Sequence, residues 1–334
     1  MSSRRLHWLA AGLGAVLAAG CAGSPHYLRG YGYAADREAR LGWLLLIISM
    51  LVVLIVTVLV ALALWRRRPP HTGQVERSGA GLKWIYWGGI IIPTVVLVGV
   101  FIATLGTLAA VATPKREPAV TVEVTGHRWW WEVRYPGHAP SQLAITANEI
   151  HVPVKQPVRF VLTTDDVAHS FWIPQLAGKT DLIPGQRNVM WLEADTAGTY
   201  WGQCTEYCGL EHANMRMYVV AESQADFDRW IARQRAPAPQ QASGAAAGQQ
   251  AFTQSACALC HTVRGTNANG VAGPDLTHVG GRATIASGIL KNTRGNMAGW
   301  IANPQALKPG VLMPVVGLSP EQLQSVVTYL QSLQ

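Results

Sequence analysis

Two cysteines, one histidine and one methionine lie within twelve residues near the middle of the chain: Cys204, Cys208, His212 and Met215. Thiolate, imidazole and thioether groups are the soft ligands that copper electron-transfer sites use. A mononuclear copper site of this type needs only one cysteine. The second cysteine therefore indicates a site in which two sulfurs bridge two copper ions.

Each copper ion of such a pair also needs an imidazole and a weak axial ligand. His169, upstream in the segment Asp166–Pro174, offers the second imidazole. A disulfide and a zinc site are the alternatives for the two cysteines. A bridge between Cys204 and Cys208 would close a very small loop, and methionine is an unusual zinc ligand, so the pattern favours copper.

A second group of metal-binding residues lies closer to the C-terminus. Cys257, Cys260 and His261 form the Cys-x-x-Cys-His signature, in which two thiols bond the haem vinyl groups and the histidine binds the iron. A thioredoxin-like cysteine pair is the alternative, but it requires a βαβ setting that the surrounding residues do not indicate. Met313, in a loop rich in proline and glycine, is favoured over Met297 as the sixth ligand. Methionine ligation raises the haem potential.

The elements that position the copper ligands are short β-forming runs within residues 117–222, separated by turns that contain proline and glycine. Such a pattern predicts an antiparallel sandwich or barrel. A helix is expected next, because Ser223 begins a capping box and Phe227 and Trp230 repeat on one face. A second capped amphipathic helix is expected from Ser319.

Two uncharged stretches, Leu41–Trp65 and Trp84–Ala112, are each long enough to cross a bilayer as a helix. The loop between them, residues 66–83, has five basic residues and one acidic residue, which predicts a cytoplasmic location. The transmembrane hairpin is therefore assigned to residues 38–114, and all later residues are expected outside.

The first twenty residues have the basic start, apolar middle and small-residue end of a signal peptide. The small residues directly before Cys21 are similar to a bacterial lipobox, in which this cysteine becomes the lipidated N-terminus. Cleavage without lipidation is the alternative. A signal peptide requires the same orientation as the loop charges. We therefore expect a multi-pass protein of the bacterial inner membrane, with both cofactor motifs on the periplasmic side.

Composition agrees with a protein that lies partly in a membrane. Of the 334 residues, 14% are charged and 49% are hydrophobic, which excludes a disordered chain and argues against an ordinary cytosolic enzyme. The net charge of +8 arises mainly beside the apolar stretches, so it indicates membrane topology and not nucleic-acid binding. Five cysteines are too few for a disulfide-dense scaffold.

The hairpin, the aromatic run Gly126–Trp131 and the Cys-x-Glu-x-Cys-Gly-x-x-His-x-x-Met motif together resemble subunit II of haem–copper cytochrome c oxidases, over residues 30–235. Residues 248–334 resemble a class I cytochrome c, and the combination resembles a caa-type oxidase subunit. The resemblance implies a multidomain membrane protein with a two-helix transmembrane hairpin and an all-β cupredoxin domain over residues 115–236. A linker over residues 237–247 and an all-α cytochrome c domain complete the expected chain.

The same resemblance implies a role for individual residues of a dinuclear copper centre, CuA. Cys204 and Cys208 are expected to bridge the two ions. The remaining copper ligands are expected to be His169, His212, Met215 and the backbone carbonyl of Glu206. The side chain of Glu206 is also expected at a Mg²⁺ or Mn²⁺ site shared with subunit I. Trp129 matches the aromatic residue through which electrons reach the copper, and Asp166 resembles a residue that supports the ligand loop.

In the C-terminal domain, the resemblance implies a covalently bound haem c. Its ligands and attachment residues are expected to be Cys257, Cys260, His261 and Met313. The carbonyl of Pro274 is expected to orient His261, and Arg282 and Trp300 are candidates for contacts with the haem propionates.

Structural or packing roles are expected for the remaining histidines and tryptophans of the two domains that the sequence singles out: His127, His138, His151, His278, Trp130 and Trp131.

The implied function is an electron relay from cytochrome c through haem c and CuA to haem a of subunit I, where O₂ is reduced and protons are translocated. Subunit III and membrane lipid are further expected partners. The alternatives are the electron-input module of a nitrous or nitric oxide reductase-like complex and a quinol oxidase subunit II, which lacks the copper ligands. Lys83–Tyr86 replace a glutamate that many family members carry at a proton path, so proton uptake through this subunit is in doubt.

Overall fold

The computed structural model describes residues 27–66, 80–139, 142–238 and 244–334. These residues form a pair of long apolar helices, a β-rich domain and a small helical domain. Two separate clusters of buried side chains are the cores of the β-rich and helical domains. The predicted signal peptide with Cys21, most of the cytoplasmic loop and the middle of the linker lie outside the described residues.

The first apolar helix, α1, spans Tyr33–Trp65. The second is built from α2 (Ala80–Trp84), a π-helical segment (Ile85–Ile91) and α3 (Ile92–Ala112). Both are long and apolar enough to cross a membrane, as the sequence predicts. Most of their large apolar side chains are exposed, so lipid or helices of another protein must cover them.

Helix α1 begins before the uncharged stretch from which it was predicted, because its first turns pack against the β-rich domain. Ala34 belongs to the core of that domain, and the N–H of Tyr31 donates to the carbonyl of Gln175 at 2.7 Å. At the end of α3, the carbonyl of Val111 accepts a hydrogen bond of 2.9 Å from Trp191 Nε1. The outer ends of both apolar helices are thereby fixed to the domain that carries the copper motif.

The β-rich domain has ten strands in two five-stranded sheets that share one core. The first sheet has the order β3-β2-β1-β5-β8, formed by β1 (Val120–His127), β2 (Trp130–Tyr135), β3 (Ala144–Ala147), β5 (Val158–Thr164) and β8 (Asn188–Leu192). The second has the order β4-β10-β9-β6-β7, formed by β4 (Glu149–Pro153), β6 (His169–Trp172), β7 (Thr180–Leu182), β9 (Gly198–Cys204) and β10 (Arg216–Glu222).

The predicted sandwich is present, but its sheets are mixed and not wholly antiparallel. Strands β1 and β5 pair in parallel, as do β4 and β10. Parallel neighbours need a long connection, and three strands intervene between β1 and β5 in the chain. The parallel pairs therefore depend on the long connections that join strands of the two sheets. Short-range sequence patterns do not predict such connections.

Both predicted capping serines begin a helix, but the capping box predicted at Ser223 is incomplete, because the Asp226 carboxylate accepts from the Ser223 hydroxyl and not from its N–H. Helix α4 (Gln224–Arg235) begins after Ser223, whose hydroxyl accepts from the N–H of Asp226, and it buries Phe227 and Trp230. In the helical domain, Ser319 caps the last helix with a full capping box.

The helical domain contains α5 (Ala246–Gln254), α6 (Cys257–Cys260), α7 (Arg294–Ala302), α8 (Pro304–Leu307), α9 (Pro320–Ser332) and a small hairpin of β11 (Thr284–Ile285) and β12 (Leu290–Lys291). Helices α5 and α9 cross at Gly248, where a Cβ atom would lie 2.0 Å from the carbonyl oxygen of Ser325. Glycine is therefore required at this crossing. The crossing closes the domain around the Cys-x-x-Cys-His motif.

Candidate redox sites

Neighbouring strands bring the copper motif and the upstream histidine together. Strand β9 ends at Cys204, and β6, which begins at His169, is its antiparallel neighbour. The loop after β9 turns back so that the N–H of Cys204 donates to the carbonyl of Met215 at 3.0 Å. The loop thereby returns Cys208 and Met215 to the end of the sheet, and both are buried.

The five predicted copper-binding side chains converge on one point. The sulfurs of Cys204 and Cys208 are 3.8 Å apart. His169 Nδ1 lies 3.9 Å from the sulfur of Cys204, and His212 Nδ1 lies 3.6 Å from that of Cys208. The thioether sulfur of Met215 is 3.8 Å from the sulfur of Cys208. The ligand atoms of His169 and the two cysteines all lie within 4.8 Å of one another, as at a metal site.

These distances fit two bridging thiolates and do not fit a disulfide. Cys204 and Cys208 are both free, and their separation is nearly twice the S–S bond length of about 2.05 Å. A metal–thiolate bond is about 2.3 Å long, so an ion on either side of the sulfur pair can bond both sulfurs. The main-chain carbonyl of Glu206 also faces the sulfur of Cys204 at 3.3 Å, while the Glu206 side chain is exposed.

The orientation of the His169 ring is fixed by Asp166. The Nε2 atom of His169 bonds to the Asp166 carboxylate at 2.9 Å, which leaves Nδ1 toward Cys204. The same carboxylate accepts from the N–H of Arg128 at 2.7 Å and from that of Val167 at 2.6 Å. Burial opposes ionisation of Asp166, but these hydrogen bonds lower the pKa of its carboxyl below the usual value. A carboxylate that holds a histidine by its other nitrogen is a common arrangement around metal ligands.

The two thiols differ in their readiness to ionise. The hydrogen bond with Cys208 lowers the pKa of the Cys204 thiol, against the effect of burial, and His169 lowers it further. The same hydrogen bond, together with burial and the charge on Cys204, raises the pKa of Cys208. A metal is the group that would stabilise both thiolates.

Trp129 lies directly beside the copper motif. Its Nε1 donates a 2.9 Å hydrogen bond to the carbonyl of Cys208, and only 8% of the residue is exposed. Gly209 has a φ of +115°, and a Cβ atom there would lie 3.1 Å from the Trp129 ring. Gly310 lies against the far edge of that ring, in the loop that carries Met313. A Cβ atom added at Gly310 would lie 3.6 Å from this edge. The indole therefore bridges the copper motif and the haem-binding domain.

The helical domain docks on the β-rich domain around Trp129. The ammonium of Lys308 and the hydroxyl of Ser287 both donate to the carbonyl of Trp129, at 2.7 Å and 2.6 Å. The carboxylate of Glu149 accepts the N–H of Ala283 at 2.9 Å. The sequence patterns did not predict these contacts, because each is made by a single residue that belongs to no motif or periodic pattern.

A cavity of about 330 Å³ is lined mainly by side chains of the helical domain and on one side by Arg128, Trp129 and Asn148 of the β-rich domain. Its lining includes all four predicted haem-binding residues. His261 Nδ1 donates to the carbonyl of Pro274 at 2.8 Å, as predicted, which leaves Nε2 to bind iron. Burial lowers the pKa of His261, so the neutral imidazole that a metal needs is favoured. A Cβ atom at Gly273 would lie 2.6 Å from the imidazole, so the segment passes flat against the ring.

Both candidate methionines line this cavity, and their surroundings differ. Met297 is 2% exposed within the core, and its sulfur accepts from Gln331 Nε2 at 3.7 Å. Met313 lies in the loop at the cavity edge, where Gln305 Nε2 donates to its main-chain carbonyl at 3.0 Å. This geometry favours Met313, because its thioether is not engaged by a side-chain donor among the described residues.

Arg282 fits the predicted contact with an anionic group. Burial lowers the pKa of its guanidinium, and its Nη2 donates to the carbonyl of Asp275. Its Nε atom is buried without a partner among the described residues, and the side chain lines the cavity together with Trp300. A buried, incompletely bonded cation beside an apolar cavity suits a haem propionate.

The other histidines and the tryptophan run have structural surroundings. Trp131 is fully buried and packs edge-on against Phe171. His151 lies between the carboxylates of Glu149 and Glu222. His278 bonds two main-chain carbonyls, and His127 stacks on Trp130, which also lines the same cavity. His138 is exposed.

Comparisons with known proteins agree with both sites. Residues 137–223 match the family model for the periplasmic domain of cytochrome c oxidase subunit II, and residues 245–334 match that for cytochrome c. The chain is 33% identical to cytochrome c oxidase subunit 2 of Alkalihalophilus pseudofirmus, over 86% of each chain. It is 30% identical to cytochrome c oxidase subunit 2 of Bacillus subtilis, over 98% of each chain.

Among solved structures, the chain is similar to the periplasmic domain of subunit II of cytochrome oxidase from Bradyrhizobium japonicum. The identity is 29%, and the match covers 36% of this chain and 96% of that one with a TM-score of 0.34. The family assignment rests on the two full-length relatives and not on this shorter match.

The predicted fold class is confirmed: two apolar helices, a cupredoxin-like domain and a cytochrome c domain. The two candidate spans and the periplasmic-domain match indicate a membrane-anchored protein whose folded domains are periplasmic. The two domains imply copper and haem c as cofactors, and subunit I and a cytochrome c donor as partners. Identity over most of both relatives shows that the chain belongs to the cytochrome c oxidase subunit 2 family, with a cytochrome c domain at its C-terminal end.

Proposed function

We propose that this chain relays electrons from a cytochrome c, through its own haem c and a CuA centre, to haem a of subunit I. Oxygen reduction and proton translocation take place in subunit I. The observation that carries this proposal is the position of Trp129, whose indole bonds the Cys208 carbonyl on one side and meets Gly310 of the Met313 loop on the other.

The residues proposed to hold the copper pair are Cys204, Cys208, His169, His212, Met215 and the carbonyl of Glu206. Two bridging thiolates let two ions share one electron's charge, so little rearrangement accompanies transfer. The haem is proposed to be held by Cys257, Cys260, His261 and Met313, and its methionine ligand gives it a raised potential. The chain's own task is to fix both groups in position and to exclude water around them.

The domain boundaries and the membrane topology are part of the same proposal. The hairpin crosses the bacterial inner membrane twice, and the complex includes subunit III. The exposed carboxylate of Glu206 is free to join a Mg²⁺ or Mn²⁺ site at the contact with subunit I. Carboxylate oxygens are suitable ligands for both ions.

The test is the metal content of the detergent-extracted complex, together with the EPR spectrum of the oxidised protein. After the metals of subunit I are subtracted, we expect two copper ions for each haem c iron. The EPR spectrum should show a signal from one unpaired electron shared by both copper ions. C204S and C208S should each lose this copper signal and oxidase turnover but keep the covalent haem. The matched variant C257S should lose normal haem attachment and keep the copper. A complex with haem c and no such copper would contradict the proposal.

A further inference from the structure

His151, at the centre of β4, is a buried titratable residue that belongs to neither cofactor motif. Its ring stacks on Trp230, with 4.1 Å between the ring centres. Both ring nitrogens face carboxylate oxygens: Nδ1 lies 2.8 Å from Glu222, and Nε2 lies 3.2 Å from Glu149. An ionised carboxylate only accepts hydrogen bonds, so both bonds form together only when each ring nitrogen carries a proton. The site is therefore complete only with the positively charged imidazolium.

Glu149 connects this site to the cytochrome c domain. Its Oε2 accepts the N–H of Ala283 at 2.9 Å, while its Oε1 faces His151. Ala283 directly follows Arg282, whose side chain lines the haem-binding cavity and whose buried Nε has no partner among the described residues. Burial opposes ionisation of Glu149, and the charge of Arg282 is among the interactions that lower the pKa of its carboxyl. Two charged groups therefore lie between the cavity and His151.

Glu222 gives the buried histidine a contact with solvent. Its side chain is 21% exposed, against 10% for the side chains of His151 and Glu149. A carboxylate within hydrogen-bond distance of a titratable nitrogen can transfer a proton to or from it. A proton can therefore pass between water and Nδ1 of His151 without any movement of the domains.

The groups around the imidazole favour its charged form. Besides the two carboxylates, β2 presents the hydroxyl of Tyr135, which bonds the main chain of His151, and α4 presents the indole of Trp230. The charged pair Asp226 and Arg229 of α4 is largely exposed, and Arg229 bonds its own carboxylate partner. Burial alone would lower the pKa of His151, but the two carboxylates raise it above the ordinary value. His151 therefore changes its charge above about pH 6.5.

We propose that His151 is a proton-binding site coupled to the oxidation state of haem c. One electron from the donor reduces ferric haem c to ferrous haem c, which removes one positive charge from the cavity. Up to one proton then passes from water through Glu222 to His151, and it returns to water when the copper pair oxidises the haem. This inference rests on the proposed function for a redox-active haem c, and it adds a proton to the electron-transfer step.

The test is the midpoint potential of haem c in the complete detergent-solubilised oxidase, titrated from its absorption between about pH 5.5 and 9. The potential should fall as the pH rises above about 6.5, because a neutral His151 stabilises the added electron less. At an effective dielectric constant of about 20, charges on the order of 15 Å apart change an equilibrium about fivefold. At about 59 mV for each tenfold change, the expected total fall is about 40 mV.

H151Q keeps a polar side chain between the two carboxylates and removes the titratable ring. It should lose most of the change in potential, while the matched variant H138Q, at an exposed histidine, should keep all of it. E222Q removes one of the two carboxylates that stabilise the imidazolium. It should keep the change in potential and move it to a lower pH by about one unit. All three variants should retain covalent haem in the absorption spectrum.

A potential that changes with pH equally in H151Q and the unaltered oxidase would overturn the coupling, since the proton would then bind another group, such as a haem propionate. A flat profile in the unaltered oxidase, or an unchanged pH range in E222Q, would also overturn it. Failure of the relay is a separate outcome. Stopped-flow spectra would then show haem c reduced while the copper absorption stayed oxidised, which would contradict the proposed function and leave the pH profile of haem c as the test of His151.

Discussion

The ammonium of Lys308, in the cytochrome c domain, donates a 2.7 Å hydrogen bond to the main-chain carbonyl of Trp129, in the cupredoxin domain. The same ammonium donates to the carbonyl of Asn214 at 2.9 Å, one residue before the candidate ligand Met215. Lys308 is 1% exposed, and burial lowers its pKa to about 7, although Glu211 and Cys208 oppose that shift. A buried amine is retained only where its hydrogens are bonded, so Lys308 joins the two domains at the residue that separates their cofactor sites.

We expect K308M to slow electron transfer from haem c to copper about tenfold, because the Asn214 carbonyl loses its donor at a cost of about 1–3 kcal/mol and the Trp129 carbonyl keeps only the hydroxyl of Ser287. The measurement is the rate at which copper absorption follows rapid reduction of haem c in the complete oxidase. K291M, which removes an exposed lysine of the same domain, is the matched control and should keep the original rate. Equal rates in both variants would show that Lys308 does not maintain the docked arrangement.

The bond between Asp166 and His169 leads to a second prediction. D166N removes the negative charge that holds His169 Nε2 at 2.9 Å and so leaves the Nδ1 atom less firmly aimed at Cys204. Loss of such a supporting group lowers metal affinity about 10–100-fold. The measurement is copper retained by the purified complex against a graded copper chelator. D165N changes the neighbouring carboxylate, which is largely exposed, and should retain copper normally. If both variants lost copper alike, the support role of Asp166 would be wrong.

Motifs of fixed spacing made the convergence of residues at both candidate sites predictable from the sequence. The copper motif lies in one loop, and only His169 had to be brought from another strand. The haem-attachment cysteines and His261 are adjacent in the chain. In each case residue type and short spacing are themselves the signal, because the cofactor chemistry requires them.

The docking of the two domains was not predictable in the same way. Lys308, Ser287 and Glu149 act as single residues, and their partners lie more than a hundred residues away in the chain. Nothing in local periodicity marks such a contact. The early start of α1 at Tyr33 was missed for a related reason, since its charged first turns are held by packing of Ala34 against the β-rich domain.

Substitution of Met313 and of Met297, which both line the cavity, should show which methionine binds the haem iron and which one only packs in the core. M313A should keep the covalent haem and lower its potential by on the order of 100 mV, because a strong determinant of haem potential is the axial ligand. M297A should keep the potential and cost about 2–5 kcal/mol of stability, since it opens a cavity in the core. Redox titration of the haem absorption and thermal unfolding distinguish the two. A lowered potential in M297A alone would reverse the assignment.

The His151 site predicts how stability depends on pH. Its Nδ1 and Nε2 lie 2.8 Å from Glu222 and 3.2 Å from Glu149, and its ring stacks on Trp230 at 4.1 Å. Burial alone would lower the pKa of His151, but the two carboxylates raise it above the ordinary value. Burial opposes ionisation of Glu149, but its hydrogen bonds to His151 and Ala283 and the charge of Arg282 lower the pKa of its carboxyl. Glu149 therefore keeps its negative charge over the pH range in which His151 loses its proton.

A histidine whose pKa is raised on folding stabilises the folded state fully below its unfolded pKa of about 6.5. That stabilisation is lost as the pH rises through the folded pKa. Thermal unfolding of the detergent-solubilised full chain should therefore show a Tm that falls above about pH 6.5. H151Q should start from a lower Tm and show a flatter profile, while H138Q, at an exposed histidine, should keep the original slope. Parallel Tm profiles for H151Q and the unaltered chain would show that His151 does not carry the charge that its two carboxylates predict.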